Sequence, residues 1–162
     1  MFQVGWFRRV GGLIIAVAVA ALVVLPAGPA GAAARVRISA AYYDPNNSGK
    51  DPDTNAGRNH EYIVIHNSGT TAAKLGGWTL RDLPRPNSPS HVYRFPSSYR
   101  LRAGASVRVH TGKGSNTKTN LYWGLSVYVW GDDSDKATLK NGGGAIVDTC
   151  SWTNSDNSPK LC

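Results

Sequence analysis

Cysteine is almost absent, with two residues, Cys150 and Cys162, in a chain of 162. Two thiols with no nearby histidine argue against a zinc finger or related metal centre. In an oxidising compartment they read as one disulfide, which would tie the tail "SWTNSDNSPKLC" back to the last strand. Closing so short a loop contributes about 3 kcal/mol at most. Helical periodicity is lacking as well, because beyond the first 34 residues no useful length of chain repeats its apolar positions every 3.6 residues. Internal repeats and long single-sign charge runs are missing. Acidic side chains are scarce, 10 against 18 Lys and Arg.

Long apolar runs are absent outside the N-terminus. The one present, Val10–Leu25, has 16 residues, short of the ~20 that span a bilayer. It follows the basic head "MFQVGWFRR" and precedes the small-residue stretch "PAGPAGAAA", the layout of a secretory signal peptide. Residues 1–34 are therefore expected to be removed, with cleavage near Ala32 or Ala34. Residues 35–162 then make one domain, large enough to bury roughly two thirds of its unfolded surface. Two of the 18 basic residues, Arg8 and Arg9, leave with the leader, so the remainder carries +6 against its 10 acids. That charge gives mild attraction to wall polymers, anionic lipid or extracellular DNA, and no specific recognition. The Ala- and Gly-rich composition, with Arg over Lys, suggests a high-GC bacterium.

What fills the domain is short alternating runs punctuated by Gly, Pro, Asn and Asp, the pattern of strands and turns. "RVRISAAYY", "EYIVIHN", "KLGGWTLRD", "HVYRF", "ASVRVHT", "LSVYVWG", "DKATLKN" and "AIVDTCSW" each read as a strand. Seven to nine short strands predict an antiparallel β-sandwich. Ile63, Ile65, Trp78, Leu80, Val107 and Val109 are the expected core. "EYIVIHN" reads as buried on both faces. Asn67 and Gly69 suit a turn, and Asp82 is placed to bond amides of the loop that follows it.

Four stretches imitate chemistry. "VRVHTGKGSNTKTNLYWG", residues 107–124, resembles a phosphate loop, but Lys113 precedes Gly114 and no helix follows, so the motif fails and a strand connection is expected. "DPNNSGKDPDTN" sets oxygen ligands as the first half of a calcium loop does. Asp44, Asn46, Asp51 and Asp53 are its candidates, with Glu61 as a further carboxylate, but position 12 is Asn55 where a bidentate Glu is needed. The "DDSD" of Asp132, Asp133 and Asp135 reads first as turn chemistry. The histidines, at 60, 66, 91 and 110, are scattered, and His60 and Glu61 point to opposite faces of a strand. No nucleophile-elbow motif supports a triad. The fourth stretch, "YRFPSSYRLR", sets Arg94, Arg100 and Arg102 with Arg108 and Tyr99 on one expected face suited to a polyanion or glycan.

The ordered phrases "E-Y-I-V-I-x-N-x-G…L-x-G-W-x-L-x-D", "V-x-V-H-T-G-x-G", "Y-W-G" and "V-W" resemble the lamin-tail domain in its bacterial secreted form. The likeness runs from Ile38 to Trp152. It implies an immunoglobulin-like sandwich without a catalytic centre or cofactor, serving as a binding or scaffold module. The expected partner is an unknown protein or a cell-surface polymer, with any nucleic-acid contact non-specific. Two alternatives stand beside that reading. One is a polyanion binder using the arginine face. The other is a small secreted metal-dependent phosphoesterase, because the family accompanies nucleases and phosphatases in bacteria. No such companion is read here, so a stand-alone module at the cell surface or outside the cell is expected.

Overall fold

The computed structural model describes residues 1–2, 32–44, 52–86 and 89–162. Most of the expected leader, residues 3–31, lies outside them. The elements are β1 (Val36–Tyr42), α1 (Asn55–His60), β2 (Tyr62–Asn67), β3 (Ala73–Lys74), β4 (Thr79–Arg81), β5 (Val92–Arg94), β6 (Arg100–Leu101), β7 (Ser106–His110), β8 (Asn120–Tyr122), β9 (Ser134–Lys140), β10 (Ile146–Thr153) and β11 (Lys160–Leu161). They form a five-stranded sheet in the order β11-β1-β2-β7-β8, a four-stranded sheet in the order β10-β9-β4-β5, and the pair β3-β6.

Alternation explains how these strands bury themselves. In β2, Ile63, Ile65 and Asn67 are buried while Tyr62, Val64 and His66 are half-buried, the period of two that one covered face requires. The expected two-sided burial of "EYIVIHN" is thus corrected, because the outer face of this sheet is open. In β7, Val107 and Val109 face the core while Ser106 and Arg108 are exposed. Ile38, Ile63, Ile65, Val107, Val109 and Leu121 meet Leu80, Tyr93, Leu139 and Trp152 of the other sheet in one core. Asp148 on β10 joins the two sheets at one edge by accepting the Ile38 amide at 2.7 Å.

Four local expectations need correction. Eleven strands occur among the described residues rather than seven to nine, because three are two-residue pieces. One pairing is parallel: Arg108, Val109 and His110 of β7 lie beside Asn120, Leu121 and Tyr122 of β8. The intervening loop carries the chain back to the start of the sheet. No strand forms over 125–131, since the amides of Val129 and Trp130 go to the Glu61 carboxylate instead of a neighbouring strand. The long polar loop contains a helix, α1, started by Thr54, whose hydroxyl accepts the Gly57 amide at 3.0 Å. That is an N-cap.

The aromatic core is also not the one expected. Trp78 is half-buried and packs only against the edge of the core. The central tryptophans are Trp130 and Trp152, each 2% exposed. They belong to a continuous chain of rings. Tyr43 stacks on Trp152 at 4.7 Å, Trp152 meets Trp130 at 5.9 Å and Trp130 meets Trp123 at 5.9 Å. Trp123 then meets Tyr93 at 5.7 Å, Tyr93 meets Phe95 at 5.2 Å and Phe95 meets Tyr99 at 6.1 Å. Trp152 also donates its ring N–H to the Gly131 carbonyl at 2.7 Å. A second row crosses the outer face of the five-stranded sheet, one ring per strand: Tyr42, Tyr62, His110 and Tyr122. Such cross-strand pairs stabilise a sheet directly.

Cys150 and Cys162 form the expected disulfide, with Cα atoms 5.7 Å apart. It holds β11 beside Ala40 and Ala41 of β1.

Two outcomes follow for stability. Trp152→Ala costs roughly 3–5 kcal/mol, while Trp78→Ala costs about 1–2 kcal/mol. Urea unfolding of both variants checks the order. Reduction of the disulfide releases β11, so the amides of residues 160–162 lose hydrogen-exchange protection while the β2–β7 amides keep theirs.

Candidate functional site

The Gly-Lys-Gly stretch of residues 112–114 is a structural clamp. Asn55 on α1 accepts the Lys113 amide at 2.7 Å and donates to the Lys113 carbonyl at 3.0 Å. Asn59, one turn later, donates to the same carbonyl at 2.9 Å. Side chains would block this approach. A Cβ on Gly112 would stand 2.5 Å from Asn59 Oδ1, and one on Gly114 would stand 2.4 Å from the Tyr122 ring. The Lys113 backbone is therefore already engaged on both sides. The loop joins two parallel strands rather than a strand and a helix, as the failed phosphate-loop motif implies.

Beyond the clamp, residues 116–119 form one wall of a groove of about 820 Å³. The wall is stiffened from within: Thr117 Oγ1 accepts the Asn120 amide at 3.0 Å, and Asn116 Oδ1 accepts the Tyr122 amide at 2.9 Å. The opposite wall is Tyr99 with β6. The Tyr99 hydroxyl donates to the Lys118 carbonyl at 2.8 Å and ties the two walls together. Burial pushes the Tyr99 phenol from the ordinary 10 up to about 12, still further from ionisation at neutral pH. Apolar groups from Ala72, Pro96, Leu101, Ala105 and Leu121 line the groove. Arg100, Arg102 and Lys118 line it too and are exposed.

Of the five residues expected on one face, Tyr99, Arg100 and Arg102 line the groove together, and Lys118 joins them. Arg94 and Arg108 do not line the groove. Arg94 is exposed on β5 in the four-stranded sheet. Arg108 is on β7, its guanidinium 5.6 Å from the centre of the Tyr62 ring.

Two buried carboxylates were missed as organisers. Glu61 is fully buried and accepts the Trp130 amide at 2.7 Å and the Val129 amide at 3.2 Å. Burial pushes its carboxyl from the ordinary 4.5 up to about 8, against the opposing pull of the Thr111 hydroxyl and the two amides. Asp135, read as turn chemistry, is 3% exposed. It accepts the amides of Leu83 at 2.9 Å and Gly131 at 3.0 Å, and pairs with Arg85 at 2.8 Å. Asp135 therefore does what was expected of Asp82, whose carboxylate instead faces His91 Nδ1 at 2.9 Å.

The Lamin Tail Domain profile matches residues 29–154. The chain belongs to the Lamin Tail Domain family. No curated protein matches it.

Membership in the lamin-tail family carries a non-catalytic binding or scaffold role. Among the described residues, no group of three or more His, Cys, Asp or Glu side chains could hold a metal ion, which argues against the phosphoesterase alternative. Three of the four histidines of the lamin-tail domain serve separate local bonds, while His60 is exposed at the end of α1 and not on a strand as expected. His66 meets Ser106 at 3.0 Å, His91 meets Asp82, and His110 meets the Asn59 carbonyl at 2.7 Å. The calcium candidates are divided: Asp53 pairs with Arg58 on α1. Asp44 lines a separate depression with Asp132, Asp133 and Asp156, and there Asp156 is bound by Lys160. Asn46 and Asp51 lie outside the described residues. No helix among the described residues is long and apolar enough to cross a membrane.

The raised Glu61 carboxyl makes stability depend on pH. Below 4.5 the group is protonated in both folded and unfolded chains, and its favourable contribution is complete. As pH rises towards about 8 the unfolded chain ionises first, so stability falls by a few kcal/mol and then levels. Denaturation midpoints from pH 4 to 9 report that decline, and Glu61→Gln flattens it relative to the parent.

Proposed function

We propose that this lamin-tail domain is a secreted bacterial binding module of immunoglobulin-like sandwich form, whose ligand site is the basic groove. Residues 1–34 serve as its leader and residues 35–162 as the exported domain. The leader layout supports export, and a single disulfide fits an oxidising destination. One observation carries the choice of site. Arg100, Arg102 and Lys118 surround an apolar floor, and among the described residues none of them has a carboxylate partner. Surface cations ordinarily sit among mixed charges, so three left open around one groove favour an anionic ligand borne by a protein or cell-surface polymer.

A second reading is a polyanion, extracellular DNA or wall polymer, tracking across the groove and onto Arg108. Ser106 lines the groove, and Arg108 lies two positions further on the same exposed face of β7. Anionic ligands of either kind are displaced by salt. Three cations in contact give roughly a 20- to 40-fold loss of affinity over a fourfold rise in salt. Titration of the purified protein with wall polymer and with duplex DNA at several salt concentrations measures this. Salt-insensitive binding, or none at low salt, removes the groove as an anion site.

A further inference from the structure

The groove holds more than charge. Strand β8 lies beside β7 only at Arg108, Val109 and His110. On that side, Ser106 has no strand partner among the described residues and lines the groove, while the Val107 backbone is paired with Ile65 of β2 on the other side. An open stretch of strand edge offers backbone groups to another extended chain. Across from it, the opposite wall alternates: Arg100 and Arg102 are exposed, and Leu101 between them is buried at the floor. β6 ends at Leu101 and Arg102 follows it directly; residues two apart in extended chain are about 6.6 Å apart, the pitch of an extended peptide.

We propose that the groove takes an extended acidic segment of a partner protein. Carboxylates at alternate positions face Arg100 and Arg102, and the intervening apolar side chain covers the half-buried Pro96 and Ala105. Main-chain bonds to an open edge supply affinity, and alternate side chains supply selectivity. The volume, about 820 Å³, lies in the range of ordinary ligand clefts, roughly 300–1,000 Å³. A nucleic acid fits less well. Its bases need an aromatic face, and Tyr99, the one ring lining the groove, packs on Phe95 and has its hydroxyl fixed to Lys118. The inference rests on the groove being the anion site proposed above.

Fluorescence anisotropy on the full exported protein tests it, with four probes: a labelled alternating Asp–Val hexapeptide, the matching Asp–Ser hexapeptide, a single-stranded oligonucleotide, and phosphatidylglycerol vesicles. The expected result is saturable one-to-one binding of the Asp–Val peptide, weakened about tenfold in the Arg100→Ala/Arg102→Ala variant and unchanged in Arg94→Ala. The Asp–Ser peptide binds more weakly. Equal binding of the two peptides overturns the apolar match. Groove-dependent binding of the oligonucleotide or vesicle without the peptide overturns the peptide proposal while leaving the groove an anion site. No probe sensitive to Arg100→Ala/Arg102→Ala overturns both. Both double- and single-variant proteins are checked for an unchanged melting temperature, since all three arginines are exposed.

Discussion

The buried carboxyl group of Glu61 is the constraint around which the interior is arranged. It sits at the start of β2, fully out of solvent, and receives two consecutive backbone amides from the segment leading to Trp130. Amides left unbonded in an apolar core are costly, so this segment folds where Glu61 can reach it. That placement inserts Trp130 between Trp123 and Trp152. From there the packing extends through Tyr93 and Phe95 to Tyr99, so one buried acid and one run of rings connect the centre of the molecule to the wall of its groove. The arrangement is held by polar contacts as much as by apolar area, since Asp135 fixes the neighbouring turn in the same way.

Most of the sheet structure was legible because strand burial repeats every two residues. Ile63, Ile65, Val107 and Val109 are each at 0% exposure and each belongs to an alternating run. Alternation failed at Trp78 for a local reason. It precedes β4, where the chain is still turning out of Gly76–Gly77, so its ring covers the core edge. It failed again at "LSVYVWG", an apolar run whose Val129 and Trp130 amides bond to a side chain. A hydrophobicity pattern records which side chains avoid water. It carries no information about where the backbone finds its partners, and that decides strand from loop.

The site was legible in part. Tyr99, Arg100 and Arg102 are near neighbours in sequence, and their clustering follows from one short strand and its approach. Lys118 comes from a loop folded back between parallel strands, which no local pattern announces. Arg94, equally close in sequence, is lost to the other sheet because Phe95 and the turn after it separate β5 from β6. The glycines of residues 112–114 were visible from the start, and their reason was not. Gly112 admits two asparagines from α1, a contact between segments more than 50 residues apart, and Gly114 makes room for the Tyr122 ring.

The run of rings from Tyr43 to Tyr99 also separates charge. Tyr43 lines the depression containing Asp44, Asp132, Asp133 and Asp156, whereas Tyr99 lines the groove with Arg100, Arg102 and Lys118. Side chains of unlike sign thus stand at the two ends of this run of rings. An anionic ligand of the kind proposed is repelled beside Tyr43 and attracted beside Tyr99, and within about a Debye length that difference guides it to the groove before contact.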